Sequence, residues 1–401
     1  MRPMGNSRTS PGISPLVPIS LFFSALSLAL GILFGMISLA SDAGQSISSQ
    51  AVDVITIHPD LMVFGALGGL LITEKIGIME NFLIFRSIRI SRIIVPGLFS
   101  GVYLASLGIF FDNGTARYLG LALIITAAVF FGYFMTSGRN PGQGGIKWIF
   151  GAAISCIALS AFANAFALIW MNVELTYLAL LFPVIYVLAE RMELGFVRGM
   201  STEAIRIQAI LAWAIVILSF ISVEGRNSIA TFLSLYASVL LLITVILYSM
   251  VYDPAFHGRK RKGRFQSYMR AGVVTAYAWL FLGLSLFMVQ FWFPYDILDP
   301  AAHAIALGFI GTFIVAHSPI IFPLVLNKEA RQDRVSFAPL ILINVATFLR
   351  IVGDLYPQAN SVGAVIAYAS GYVILVTIIA VVINLKRITT NHERGYTPEP
   401  A

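Results

Sequence analysis

Apolar stretches of about 20 residues recur twelve times along the chain, separated by short polar segments. They cover roughly residues 16–40, 58–78, 93–111, 118–136, 147–171, 174–189, 205–223, 227–251, 269–293, 300–326, 335–356 and 361–385. A helix of about 20 apolar residues is long enough to cross the hydrocarbon core of a bilayer. The pattern therefore predicts an all-α, polytopic membrane bundle of about twelve transmembrane helices.

Composition agrees with a membrane protein and excludes several other classes. Hydrophobic residues make up 58% of the chain and charged residues only 11%, whereas a soluble domain carries about 25% charged residues. The single cysteine, Cys156, rules out an intrachain disulfide, a CxxC redox pair and a thiolate zinc site. There is no GxxxxGK loop for ATP, and no basic stripe interleaved with aromatics that would indicate nucleic acid as a partner.

Loop charges predict the orientation in the membrane. If the N-terminus is cytoplasmic, 23 of the 26 Lys and Arg residues fall in cytoplasmic segments, and only Arg117 and Arg226 fall in outside loops. This bias is the one described by the positive-inside rule. We therefore expect a multi-pass protein of the cell (plasma) membrane with both termini cytoplasmic. A disordered N-terminus (1–15) would precede one transmembrane domain (16–385), followed by a cytoplasmic tail (386–401). No strong internal repeat is evident in the sequence.

Three of the five histidines, His58, His303 and His317, lie within the predicted helices. An ionisable residue inside a membrane is a functional-site candidate, and neutral imidazole is a common ligand of metal ions and haem iron. The predicted topology puts His58 and His303 at the same depth, near the outer surface. His317 would lie about 21 Å deeper on the same helix as His303, and about 40° from the same helix face.

The pair His58 and His303 could supply the two axial ligands of one haem, which must come from facing helices at one depth. It could instead bind copper, because Met62 lies one turn after His58 and thioether with imidazole suits Cu(I). Met62 could equally be a core residue. His317 could hold a five-coordinate haem, supply one metal ligand, relay protons, or be a hydrogen-bonded core residue.

Polar and small residues on the last helices leave further alternatives open. Arg350 could form an ion pair with Asp354 one turn on, or contact an anion such as a haem propionate, for which its guanidinium is well suited. Small residues on two helices permit either close helix packing or room for a flat macrocycle. They are Gly65 and Gly69 on the second helix and Ala304, Gly308 and Gly311 on the tenth.

At these residues the sequence resembles the NnrS family, twelve-helix membrane proteins that contain haem and copper and are associated with nitric oxide metabolism. The segment HAIALGFIGTF, from His303, is similar to the family's His-Ala-x-x-x-Gly helix. LINVATFLRIVGDL resembles its Asn-x-Ala-x-x-x-Arg segment at Asn344, Ala346 and Arg350. HPDLMVFG, from His58, is similar to its His-x-His-Glu-Met-x-Phe-Gly opening and contains the matching Met62.

The chain also departs from that pattern. Asp60 and Leu61 stand where the family has its second histidine and a glutamate, and HSPIIFPLVL replaces a Gly-His-Thr-Gly-Arg-like segment. The resemblance therefore implies haem, most simply haem b, more strongly than copper. It implies ligands at His58 and His303, with His317 and Met62 as further metal-ligand candidates. Arg350 would contact propionates or order the site.

The function implied is a role in nitric oxide or respiratory redox stress, with a respiratory complex or electron donor as partner besides haem and the bilayer. The residues do not distinguish an enzyme from a sensor or a scavenger. A cofactor-free secondary transporter of a small solute is the alternative, because twelve helices, cytoplasmic termini and interior prolines fit that class too. A membrane partner or assembly factor of an oxidase complex is a third.

Overall fold

The computed structural model describes residues 16–42, 57–81, 91–137, 144–167, 173–224, 229–257, 263–292, 297–325, 328, 331–356 and 362–389. The predicted disordered N-terminus and residues 390–401 of the predicted tail lie outside these ranges. The helices that concern the site are α1 (Leu16–Asp42), α2 (57–81), α3 (Ser91–Phe110), α4 (Gly114–Ser137), α5 (Gly144–Ala167), α6 (Val173–Val197), α7 (Thr202–Glu224), α8 (Ile229–Tyr252), α9 (Arg264–Val289), α10 (298–325), α11 (Ala338–Leu355) and α12 (Val362–Thr389).

The predicted all-α membrane bundle is confirmed. Eleven of these helices are long and apolar enough to cross a membrane, and no strand occurs in the described ranges. The remaining one, α2, is a continuous helical segment that contains a π-helix, Asp60–Gly68, followed by an α-helix, Gly69–Asn81. The arrangement is therefore that of a polytopic bundle with an apolar surface suited to a lipid bilayer.

Several helices extend beyond their predicted ends. The sixth was predicted over 174–189, yet α6 continues to Val197, and α12 continues to Thr389, into the predicted tail. Arg191 therefore lies within α6, and Lys75 lies within α2; the loop-charge count assigned both to cytoplasmic segments, yet both are buried. Each has a carboxylate partner, which removes the need for contact with water. These two corrections reduce the charge bias between the predicted loops without reversing it.

The most deeply buried helix is α6. In its most apolar 18-residue window, 83% of the residues are buried, against 22% in α12. It packs against the π-helical part of α2 and against both the first turns and the π-helical part of α10. A helix that is apolar on all sides is expected at the centre of a bundle. Helix α6 therefore supports both histidine-bearing helices.

Helices α1–α4 and α9–α12 share one order of packing. In each group the first helix packs on the second, the second on the third, and the third most extensively on the fourth. The second helix of each group carries a histidine near its start, His58 in α2 and His303 in α10. A fully buried phenylalanine follows six residues later, Phe64 and Phe309 respectively. The two groups thus share a packing order and the position of a histidine, whereas their sequences show no strong repeat.

Both histidine-bearing helices are π-helical directly after the histidine region. The π-segments are Asp60–Gly68 and Ala304–Gly311, and the Gly69 amide donates to the carbonyl of Phe64, five residues back. π-Helices are rare and often mark functional sites. A π-helix has more residues per turn than an α-helix, so the α-helical count that put His303 and His317 on one face does not apply. The two side chains contact different helices.

The small-residue stripes are filled by packing. A Cβ at Gly308 would lie 2.7 Å from Trp279 and 3.0 Å from Thr347 Cγ2, and one at Gly65 would lie 2.5 Å from Ser27 Oγ. At Gly69 it would meet Phe99 and Ser24. Of the two uses predicted for these residues, close helix approach is the one that their neighbours support.

Candidate functional site

His58 and His303 lie side by side where α2 and α10 begin. Their ring centroids are 6.3 Å apart and the ring planes are inclined by 24°. The common depth expected from topology thus corresponds to direct proximity. Both side chains are only partly exposed. We refer to these two residues with their polar neighbours as the histidine site.

His58 is fixed by the backbone of α1. Its Nδ1 lies 2.6 Å from the carbonyl oxygen of Gly31. A carbonyl can only accept, so Nδ1 carries the proton and donates, and Nε2 keeps its lone pair. One turn along α1, a Cβ at Gly35 would lie 3.0 Å from Nδ1 and Cε1 of the ring. The absence of a side chain at Gly35 is what allows α1 to approach the imidazole so closely.

His303 is fixed by charged groups. Its Nδ1 is 2.9 Å from the backbone oxygen of Asp299 and 3.0 Å from Asp299 Oδ1. Both are acceptors, so the proton is again on Nδ1 and Nε2 keeps its lone pair. Asp299 in turn pairs with Arg350 of α11, whose Nε is 3.0 Å from Asp354 Oδ2. Arg350 is 8% exposed and so holds its charge between two carboxylates.

In both imidazoles, therefore, Nε2 is the nitrogen with no hydrogen-bond partner among the described residues. A histidine that ligates a metal through Nε2 usually donates its Nδ1 proton to a carbonyl or carboxylate, which fixes the tautomer and the ring orientation. Two nitrogens bound to one metal ion at about 2.0–2.1 Å each would put the ring centroids about 6 Å apart. The observed centroid separation of 6.3 Å is close to this value.

The described residues contain one group of three ligand-type side chains close enough to bind one ion, Asp299, His303 and Asp354. Both carboxylates already neutralise Arg350. The Arg350 guanidinium thus supplies these two carboxylates with the positive charge that a bound metal ion would otherwise supply. We interpret these carboxylates as the support of His303.

Met62 faces α1. A Cβ at Gly31 would lie 2.5 Å from Met62 Sδ, so the thioether lies over the same residue whose carbonyl accepts the bond from His58. This contact agrees with the core role considered for Met62. A copper-ligand role remains a prediction.

Asp60, which stands where the resembled family has its second histidine, belongs to a separate polar chain. Asn164 of α5 donates to Asp60 Oδ1 at 3.1 Å, and Arg117 of α4 donates to Asn164 Oδ1 at 2.7 Å. Arg117 was counted among the outside loop charges, but it lies in α4 and its side chain reaches into the bundle. This chain secures α2 against α4 and α5 two residues beyond His58.

His317 lies in a different environment, which the sequence did not reveal. Its Nδ1 is 2.9 Å from the Phe313 carbonyl, and its Nε2 is 3.4 Å from Arg191 NH1. Arg191 makes a two-pronged ion pair with the fully buried Asp253, with contacts of 2.5 and 2.6 Å. A metal cation on Nε2 would have to lie beside this guanidinium. The proton-relay and core roles suit His317 better than the metal-ligand role predicted for it.

Asn344, carried over from the resemblance, acts within the fold. Trp279 Nε1 donates to Asn344 Oδ1 at 2.7 Å, and Asn344 Nδ2 donates to the Leu340 carbonyl at 2.7 Å. Two other polar residues of α11, Thr347 and Arg350, are buried and lie against α10 and Asp299 respectively. Arg350 reaches the histidine site together with Asp354.

Sequence reasoning missed Asp299 as a partner of His303, and missed the Arg191–Asp253 pair. A signal for Asp299 was available, because it lies four residues before His303 and hence on the same helix face. Glu74 and Lys75 also fall inside a predicted helix, 58–78, where charged residues are a functional signal. No comparable signal marked Arg191, which the prediction placed beyond the end of the sixth helix.

Comparison with known families gives one match, which covers nearly the whole chain. Residues 17–386 match a family described as a domain of unknown function (DUF8744). No functionally curated protein matches the chain.

Proposed function

Because the chain belongs to this family of unknown function, we propose its function from the histidine site itself: it is an integral membrane haem protein in which His58 and His303 are the axial ligands. The carrying observation is that two imidazoles from separate helices lie 6.3 Å apart, both with Nδ1 engaged by an acceptor. Each Nε2 is then available to a metal. Copper held by the same two nitrogens is the alternative occupant.

The residues around the pair have separate roles in this proposal. Gly31 holds His58 in the tautomer that a ligand needs, through its carbonyl oxygen. Asp299 does the same for His303 and makes that imidazole more basic, as carboxylate partners do for ligating histidines. Arg350 keeps Asp299 ionised and in place. Since both sides of Arg350 contact carboxylates, ordering the site is the better supported of its two predicted roles.

Haem iron bound by two imidazoles would supply one-electron redox chemistry. The link to nitric oxide or respiratory redox stress rests on the resemblance to the NnrS family. An electron donor, such as a respiratory complex, would be a partner under this proposal, because one-electron chemistry at haem iron needs a source of electrons.

The test is a reduced-minus-oxidised visible spectrum of the full-length protein, purified after haem-replete expression. We expect a Soret band in the wild type and its loss or a clear shift in both His58→Ala and His303→Ala. His317→Ala is the matched control, since His317 is an intramembrane histidine whose Nε2 is already engaged by Arg191. It should retain the wild-type spectrum.

A wild type without any Soret band would refute haem binding, and equal losses in all three variants would refute this choice of ligands. Elemental analysis of the same samples tests copper. Copper that is present without haem, and lost in His58→Ala and His303→Ala, would assign the pair to copper instead.

A secondary transporter is the second candidate, and one observation favours it. At the end of the bundle opposite the histidine site, the carboxylates Glu74 and Glu190 line a small cavity, and buried ionisable groups are typical of ion-coupled transport. Uptake of a solute into proteoliposomes that persists in His58→Ala and His303→Ala would support transport. Loss of uptake in those variants would count against a cofactor-free mechanism.

A further inference from the structure

Ionisable residues cluster where the far halves of α2, α6 and α10 meet. Two ion pairs account for part of the cluster. Lys75 of α2 pairs with Glu193 of α6 at 3.0 Å and lies 4.2 Å above the Phe150 ring, and Arg191 pairs with Asp253. Lys75 and Arg191 are therefore each already paired with one carboxylate.

Two further carboxylates, Glu74 and Glu190, have no ion-pair partner within the described residues. Glu74 is more than nine-tenths buried, with a relative exposure of 9%. Both line a cavity of about 80 Å³ between α2, α6 and α10. Arg191 and His317 are the other polar side chains in its wall, and the rest is apolar: Leu71, Leu194, Phe313, Ile314 and Ile321.

An unpaired carboxylate is too costly to keep ionised in such a place. Burial of an isolated charge costs several kcal/mol even after relaxation, so the group is neutralised instead. Because two carboxylates face one cavity, their ionised forms are disfavoured further, since like charges oppose each other's ionisation. The cavity is large enough for a few water molecules, since one water needs about 10–15 Å³ of such space.

The other two polar residues of the wall, Arg191 and His317, contact each other. The neutral His317 has its Nδ1 proton committed to the Phe313 carbonyl, so only Nε2 faces Arg191 and the cavity side. Arg191 is paired with Asp253, and its remaining attraction for Glu190 is smaller than that of Lys75. The hydroxyl of Tyr186 donates to the Leu71 carbonyl, and Tyr277 packs near Phe309; both are neutral phenols and supply no countercharge.

We propose that this cavity is a proton-binding site in which Glu74 and Glu190 take up protons from the membrane surface nearer to Lys75 and Glu193. Glu193 is 32% exposed and lies three residues from the partly buried Glu190 on α6, so protons would enter from this side. The proposal does not depend on haem in the histidine site. It uses a different end of the bundle and different residues.

The test is infrared spectroscopy of the full-length protein in lipid nanodiscs at neutral pH, comparing H₂O with D₂O. Exposed carboxyl groups are ionised at neutral pH, so a band from a protonated carboxylic acid that shifts in D₂O reports a buried, exchangeable proton. We expect such a band in the wild type. Glu74→Gln should remove most of it, and Glu190→Gln should shift or weaken what remains.

Glu203→Gln is the matched control, because the Glu203 side chain is 76% exposed, and the band should not change. Glutamine has the shape of a protonated glutamate, so the Glu74 and Glu190 variants should keep the wild-type thermal midpoint. No band in the wild type, or a band unchanged in both variants, would overturn the proposal. A band that disappears when Na⁺ is added at constant pH would overturn it in favour of a cation site.

Discussion

Helices α1–α4 and α9–α12 present the same element, a histidine at the start of a partly π-helical helix, but fix it by different means. In the first group His58 donates to a backbone carbonyl brought close by two glycines of α1. In the last group His303 donates to Asp299, which Arg350 stabilises by charge while also pairing with Asp354. One imidazole is positioned by shape and the other by electrostatics, so different substitutions should disturb them.

The difference follows from the surroundings of each ring. Gly31 and Gly35 let α1 lie against His58, and a backbone carbonyl needs no countercharge. Asp299 is half exposed, with 55% of its side chain accessible, so its carboxylate keeps some hydration. Arg350 is buried and needs both carboxylates to offset its desolvation. The last group therefore depends on a charge balance that the first group does not have.

The largest effect is expected from Arg350→Met. It leaves Asp299 and Asp354 without their cation, and breaking a buried ion pair costs about 3–5 kcal/mol, reduced here to about 2–3 kcal/mol because Asp299 is partly solvated. Unfolding followed by circular dichroism in detergent measures this loss. The His303 half of the site should be disturbed as well, visible as a change in the metal spectrum.

Arg117→Met is the matched control from the first group. It removes a hydrogen bond from Arg117 to a neutral amide, Asn164, which is worth about 1–2 kcal/mol. Addition of Asp354→Asn should restore part of the stability of Arg350→Met but none of that of Arg117→Met. Equal losses in the two arginine variants would contradict the view that charge positions only the last group.

An intermediate effect is expected from Gly35→Ala. The new Cβ would lie 3.0 Å from the His58 ring, so the ring must turn away from Gly31 or α1 must move, at a cost of about 1–3 kcal/mol. Absorption spectroscopy should show a weakened or shifted metal band together with the lower stability.

Gly283→Ala, at the corresponding place in α9, tests whether the effect of Gly35→Ala comes from the His58 ring or from helix packing in general. Its Cβ would meet Ile305 Cγ1 at 2.6 Å and the Ala301 carbonyl at 3.1 Å, but no histidine. We expect a similar loss of stability with the spectrum retained. If Gly283→Ala changes the spectrum as much as Gly35→Ala does, the missing side chain at Gly35 is not specifically required to position His58.

The smallest effect is expected from Met62→Leu. Leucine fills a similar volume, and such exchanges in a core usually cost less than about 1.5 kcal/mol. Because Met62 faces α1, stability and the haem band should both stay near wild type. Copper content, measured on the same preparation, is the sensitive quantity: a drop would identify the thioether as a ligand and would show that Met62 does more than pack.

Hydrophobic periodicity predicted the class of fold and most helices to within a few residues, because apolar runs of membrane length have few alternative structures. It also put His58 and His303 at one depth, since only the alternation of crossings was needed. The predicted end of the sixth helix was wrong because Glu190, Arg191 and Glu193 give this segment the composition of a loop. Their burial depends on Asp253 and Lys75, which are distant in sequence.

The details of the candidate site were less predictable. The prediction that His303 and His317 share a face failed because it assumed α-helical geometry throughout, and nothing in the composition of AIALGFIG marks a π-helix. The partner of Arg350 was half predicted: Asp354 follows from spacing within α11, whereas Asp299 comes from the start of α10 and required the tertiary structure. The acceptor for His58 is a backbone atom, which no side-chain pattern indicates.

The π-segment of α10 joins two chemically different regions of the bundle. Ala304–Gly311 lies between His303 in the histidine site and His317 beside the cavity. A change of this segment from π-helical to α-helical hydrogen bonding would alter the turn per residue, and so would rotate His317 relative to His303 without breaking the helix. The hydrogen-bonding pattern of these eight residues thus sets how the histidine site and the cavity are oriented relative to each other. A single-residue deletion in this segment would therefore change that relative orientation.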